Sequence, residues 1–114
     1  MPLKRGDIIL VPFPFTDLSS LKVRPAVIIS ADPQGEDIII AFISSVIHQN
    51  LRKTEFLLSA NHKDFKNSGL KKDSVFKMDK LLTVHDTIVL RRLGHLCASI
   101  NKELDNLLKK AIGL

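Results

Sequence analysis

The chain has 114 residues, with seventeen Lys and Arg against twelve Asp and Glu, a formal net charge of +5 and one cysteine. That length suits one domain over residues 1–114 with a core that needs no disulfide, and a lone thiol without an apolar leader makes the cytoplasm the expected compartment. No apolar run reaches the roughly 18 residues of a spanning helix, so no membrane partner is expected, whereas the basic excess in residues 59–114 suits a polyanion.

In chain order, "GDIILVPF" (6–13), "RPAVIISA" (24–31) and "DIIIAFISSV" (37–46) are rich in Ile and Val, too short for helices and bounded by turn formers. "TEFLLS" (54–59), "SVFKMDKL" (74–81) and "TIVLRRLGHL" (87–96) continue the pattern more weakly. Between them, residues 59–73 are polar and read as a loop with at most one helical turn. From Ser99 the apolar positions Ile100, Leu104, Leu107, Leu108, Ala111 and Ile112 recur at helical spacing, with Ser99 as N-cap and Gly113 as stop. The expected fold is mostly β with a C-terminal helix: a small, strongly bent antiparallel sheet or half-open barrel whose open edge or face the helix covers.

"ADPQGED" joins the second and third strands, with Pro33 suited to the second position of a turn that begins at Asp32. In a regular hairpin centred near Gln34, Arg24 faces Ser44; a shift of one residue makes the partner Ser45, and strands this uniformly apolar do not decide between them. Pro25 holds Arg24 in extended geometry. A guanidinium beside a hydroxyl offers a fork of donors plus one more hydrogen bond to a phosphate, which suits RNA cleavage through the 2′-hydroxyl without metal.

These residues carry a resemblance. "RGDIILVPFPFTDLSSLKVRPAVIIS", then "AFISSVIHQN", "GLKKDSVFKMDKLLTV" and "LRRLGHL" resemble the PemK/MazF toxins of type II toxin–antitoxin systems, over nearly the whole chain. The resemblance implies a small SH3-like antiparallel barrel of the CcdB/MazF type, a homodimer, and a cognate antitoxin partner. It implies metal-independent, sequence-selective cleavage of single-stranded RNA with a cyclic phosphate and a 5′-hydroxyl as ends, and no cofactor. It makes Arg24 catalytic and Ser44 its partner, in the place of the family's usual threonine, with Ser45 able to share the role. Serine lacks the β-branch that limits χ1.

The same resemblance makes residues 13–23 the loop that closes over RNA, with Lys22 near a phosphate and Thr16, Asp17 and Ser19 at base edges. Phe13 and Phe15 read as core residues. His48 and Gln49 follow the Ser44/Ser45 strand onto the rim of a groove, where His48 can stack on a base or move a proton and Gln49 can bind RNA. Arg91 and Arg92 are adjacent and in a strand face opposite ways, so they make no single phosphate clamp. His95 and Cys97 lack a second ligand pair, so no metal site is expected. Six Phe with no Trp or Tyr argue against a multi-base stacking platform. The rival functions are a CcdB-like toxin that inhibits a topoisomerase without hydrolysis, and a degenerate relative that binds RNA uncut.

Overall fold

The computed structural model describes residues 2–14 and 21–114. Among the described residues, β1 (Asp7–Pro14), β2 (Leu21–Ala31), β3 (Asp37–Ser44), β4 (Glu55–Leu58), β5 (Ser74–His85) and β6 (Arg91–His95) form one antiparallel sheet in the order β4-β5-β3-β2-β1-β6. A single turn of helix, α1 (Phe65–Ser68), sits in the polar loop, and α2 (Ala98–Ala111) closes the chain. The expected half-open barrel with a C-terminal helix is the observed architecture: the sheet curls, and β4 and β6 are its edges.

Both faces of this sheet are buried, which explains its runs of consecutive Ile and Val. On one face Ile8, Val27, Ala41, Ile43, Phe76 and Met78 pack beneath Ile100 and Leu104 of α2. On the other, Ile9, Val11, Ala26, Ile28, Ile38 and Ile40 are closed over by Leu3, Val84, Ile88 and Val89. Each such aliphatic side chain removed from water contributes about 1.5–3 kcal/mol before the entropy of ordering it.

The sheet bends at register shifts. Ile29 is an extra residue on β2, between the pairs Ile28–Ile40 and Ser30–Ile39. The largest shift lies between β3 and β5: Ala41 pairs with Leu81 while the next residue, Phe42, pairs with Lys77. Met78, Asp79 and Lys80 therefore stand outside the ladder with β3, and the Met78 N–H donates to the Thr54 carbonyl at 3.1 Å. Bulges of this kind bend a strand and increase its twist.

The Gly-Asp pair that opens β1 has a structural task. Asp7 is fully buried; its carboxylate accepts from the Lys4 N–H at 3.0 Å and from His95 Nδ1–H at 2.7 Å, with Arg92 Nη1 3.7 Å away. One side chain thus ties the N-terminal turn and β1 to the edge strand β6. The helix begins one residue before its expected cap: Cys97 is the N-cap, without a side-chain cap bond, and Ser99 lies in the first turn. Gly113 follows the helix at φ +83°, the left-handed geometry that suits glycine.

Away from Ser44, Asp37 pairs with His85, and the His85 ring lies 2.9 Å from Glu36 Oε2 through Nε2 and 2.8 Å from Thr87 Oγ1 through Nδ1. The hydrogen bond that its ring donates to Glu36 is the main cause that raises its pKa above the ordinary 6.5, opposed by desolvation and assisted by the charges of Glu36, Asp86 and Asp37.

Two outcomes follow from these contacts. Asp7→Ala orphans the Lys4 amide and the His95 ring and is expected to cost about 3 kcal/mol, read as a lower urea midpoint at unchanged m-value. For His85 the folded pKa is the higher one, so its stabilising contribution is complete below the unfolded value and is lost as pH rises through the folded one. An NMR titration of the His85 ring is expected to show a midpoint above 6.5 that falls in Glu36→Gln; a midpoint at or below that value contradicts the Glu36 contact.

Candidate nucleic-acid interface

The β2–β3 hairpin turns where the Asp-Pro signal put it: the Gly35 N–H donates to the Asp32 carbonyl at 3.2 Å, and the Gln34 N–H to Asp32 Oδ1 at 2.9 Å. Next to this turn Ala31 pairs with Ile38, a register that, continued unbroken, sets Arg24 across from Ser45. The extra Ile29 shifts the ladder by one, giving Ala26–Phe42, the last pair of this ladder; continued two residues further, that register sets Arg24 across from Ser44. The bulge thus decides between the two serines.

Alternation fixes the face. Ala26 and Phe42 belong to the second core cluster, so Arg24 and Lys22 on β2, and Ser44 on β3, share its face, just past its end. Arg24 is half-buried, Lys22 exposed, and Val11 on β1 is the direct cross-strand neighbour of Arg24. Ser44 is half-buried, and its Oγ accepts from the Val46 N–H at 3.1 Å. That bond supplies a restraint that serine's own χ1 lacks, and it leaves the hydroxyl proton to be donated elsewhere.

Directly opposed residues share a face, so Lys77, opposite Phe42, lies on this side too, and so does Glu55, opposite Lys77. Here a pocket of about 450 Å³ opens, lined by His48, Asn50, Arg52, Glu55, Lys77, Asp79 and Lys80. Its far wall is the β5 bulge, which carries Asp79 and Lys80; its near wall is the loop after β3. Glu55 Oε1 accepts from the Arg52 N–H at 2.9 Å, fixing the turn into β4.

Of the residues singled out in the sequence, Arg24, Ser44, Lys22 and His48 therefore gather at one end of one sheet face, and Ser45 and Gln49 follow in the exposed loop. Thr16, Asp17, Ser19 and Phe15, with the side chain of Phe13, lie outside the described residues. Arg52, Lys77, Asp79 and Lys80 were not singled out, since they are brought together only by the β4–β5 pairing and the β5 bulge. Among the described residues no group of three or more His, Cys, Asp and Glu side chains is placed to hold a metal ion. No helix among them is long and apolar enough to cross a membrane.

A curled antiparallel sheet closed by a C-terminal helix is the frame of small toxins of the PemK and MazF kind. The family model for the "PemK-like, MazF-like toxin of type II toxin-antitoxin system" matches residues 4–112, and the chain belongs to that family. A search of curated proteins by sequence finds no match. Among solved structures, an endoribonuclease in complex with its cognate antitoxin from a mycobacterial species is similar at TM-score 0.76 and 14% identity, over 99% of this chain and 97% of that one. The Mycobacterium tuberculosis toxin MazF-mt6 is similar at 0.73 and 23% identity, over 95% and 97% of the two chains. MazF in a MazE–MazF complex from Deinococcus radiodurans gives 0.77 and 15% identity, over 98% and 96%. At these identities the likeness is one of fold.

Proposed function

We propose that this toxin is a metal-independent, sequence-selective endoribonuclease that cleaves single-stranded RNA in the cytoplasm, acts as a homodimer and is neutralised by a cognate antitoxin. The observation that carries the reading is the β2–β3 register, which brings Arg24 and Ser44 to one end of one face, beside a basic-rimmed pocket. In the reaction, the RNA 2′-oxygen attacks the adjacent phosphorus, the P–O5′ bond breaks, and a proton passes from the 2′-hydroxyl to the departing 5′-oxygen. The products are a cyclic phosphate and a 5′-hydroxyl.

Arg24 places two N–H donors on the non-bridging oxygens, where negative charge grows as the phosphorane forms, and assists the proton transfer. Ser44, its Oγ held by the Val46 amide, donates its proton to the same phosphate. His48, on the pocket wall, would relay the proton, and Ser45 would supply a second hydroxyl. Lys22, Lys77, Lys80 and Arg52 draw the backbone in, while Gln49 and the segment with Thr16, Asp17 and Ser19 meet base edges.

The non-hydrolytic alternative requires α2 to dock on a partner. Ile100 and Leu104 of that helix are buried against the sheet, and Leu107 and Leu108 pack beside them, so most of its apolar stripe is already covered. The placing of Arg24 and Ser44 at one end of one sheet face favours the enzyme.

Arg24→Ala is expected to lower RNA cleavage in excess EDTA by about 10²–10⁴-fold, and Ser44→Ala by about tenfold or more, both with wild-type unfolding midpoints. Mapped ends carry the cyclic phosphate; cleavage retained by a nuclease-free Arg24→Ala preparation refutes the assignment. Lys77→Ala with Lys80→Ala weakens binding of an uncleavable 2′-deoxy oligonucleotide and lowers the slope of log K against log salt by about 0.7 for each lost phosphate contact.

A further inference from the structure

On the reverse of β2 from Arg24 lies a second, smaller cleft of about 290 Å³. Its floor is a cross-strand row: Leu10 pairs with Pro25 on one side and with Arg91 on the other. Leu70 and Leu93 form its walls, and Lys71 and Arg91 stand exposed at its rim. Two glycines make the cleft possible. Gly69, at φ +75°, leaves room for the Leu93 carbonyl, which a Cβ there would meet at 2.2 Å, and a Cβ on Gly94 would come as close to the Asn67 carbonyl. The α1 turn can therefore seat directly on β6, bringing Leu70 and Lys71 beside Leu93.

We propose that this cleft is a docking site for an acidic peptide segment that inserts one apolar side chain between Leu70 and Leu93, with carboxylates on Lys71 and Arg91. The floor and walls are aliphatic, with no aromatic ring for a base to stack on and no side-chain amide or carboxylate to read a base edge, so RNA is a poor occupant. Neither rim cation has a carboxylate partner among the described residues. A second copy packed two-fold on this cleft would bring two Lys71 and two Arg91 together in a chain whose net charge is already +5. The acidic segment deepens the antitoxin part of the proposed function and rests on that reading for its biological source. Its seat lies on the opposite face of the sheet from Arg24, so it can be held without filling the RNA groove.

The test uses the full chain and a displayed library of twelve-residue peptides in which Asp and Glu flank one randomised position, counter-selected on Lys71→Glu/Arg91→Glu. The binders expected carry Leu, Ile, Met or Phe at that position, shift the amide resonances of Leu10, Leu70, Lys71, Arg91 and Leu93, and bind the double variant about tenfold more weakly or worse. RNA cleavage by that variant stays within about twofold of wild type, because exposed single charges far from the reacting phosphate matter little at physiological salt. No enrichment over counter-selection, binders that map to the Arg24 face, groove shifts caused by a 2′-deoxy oligonucleotide, or a dimer that buries Leu70 and Leu93 each overturn the proposal. Failure of wild-type protein to cut RNA refutes the proposed function while leaving the peptide mapping to decide the cleft.

Discussion

The β5 strand cannot serve both its neighbours without breaking its own ladder, and the rest of the molecule depends on where it breaks. Its first part pairs with β4 and with the end of β3, while its second part pairs with the beginning of β3. Met78, Asp79 and Lys80 absorb the mismatch. Met78 turns into the helix-covered core, and its amide, freed from the β3 ladder, donates to the Thr54 carbonyl. The resulting bend lets a sheet with two open edges bury both faces. The same break puts Asp79 and Lys80 on the wall of the pocket beside Ser44, so one irregularity serves packing and charge placement together.

A strand buried on both faces has little freedom to carry polar chemistry along its length, and β2 carries it only at one end. Val27 faces the helix-covered core and Ala26 and Ile28 the other, so nothing charged fits in the middle. Toward Leu21 the cover runs out. Arg24 emerges on the face that also carries the polar pocket with its mixed cations and carboxylates, and Pro25 emerges on the other, where it lines the aliphatic cleft with cations at its rim. Proline fits this position because it fixes extended geometry for Arg24.

Much of the architecture was readable from residue types. The Ile and Val runs located the strands, Asp32 and Pro33 located the hairpin turn, and three- and four-residue spacing located α2. What could not be read were the register shifts. In "AVIIS" both faces are apolar, so an extra Ile29 changes no pattern, although it decides which serine Arg24 meets. Nothing local distinguishes Asp7, and only the pairing of β1 with β6, 88 residues apart, reveals it as a buried carboxylate under His95. Arg52, Lys77 and Lys80 were hidden for the same reason. Their grouping is a product of pairing, and a scan for local motifs has nothing to find. The helix cap fell on Cys97 because the chain leaves β6 directly into α2, before Ser99 can intervene.

The mixture of signs in the pocket bears on how such a groove would select a sequence. A purely basic channel holds any phosphate chain equally and reads nothing. Glu55 and Asp79 among Arg52, Lys77 and Lys80 lower the general attraction, but a carboxylate accepts from exocyclic amino groups, which cytosine, adenine and guanine present and uracil does not. With the Phe56 ring edge-on to Phe76 instead of open to the groove, stacking contributes little there. On the proposed reading, selectivity in this part of the groove rests on hydrogen bonds to base edges, and the acidic side chains exchange part of the affinity for discrimination.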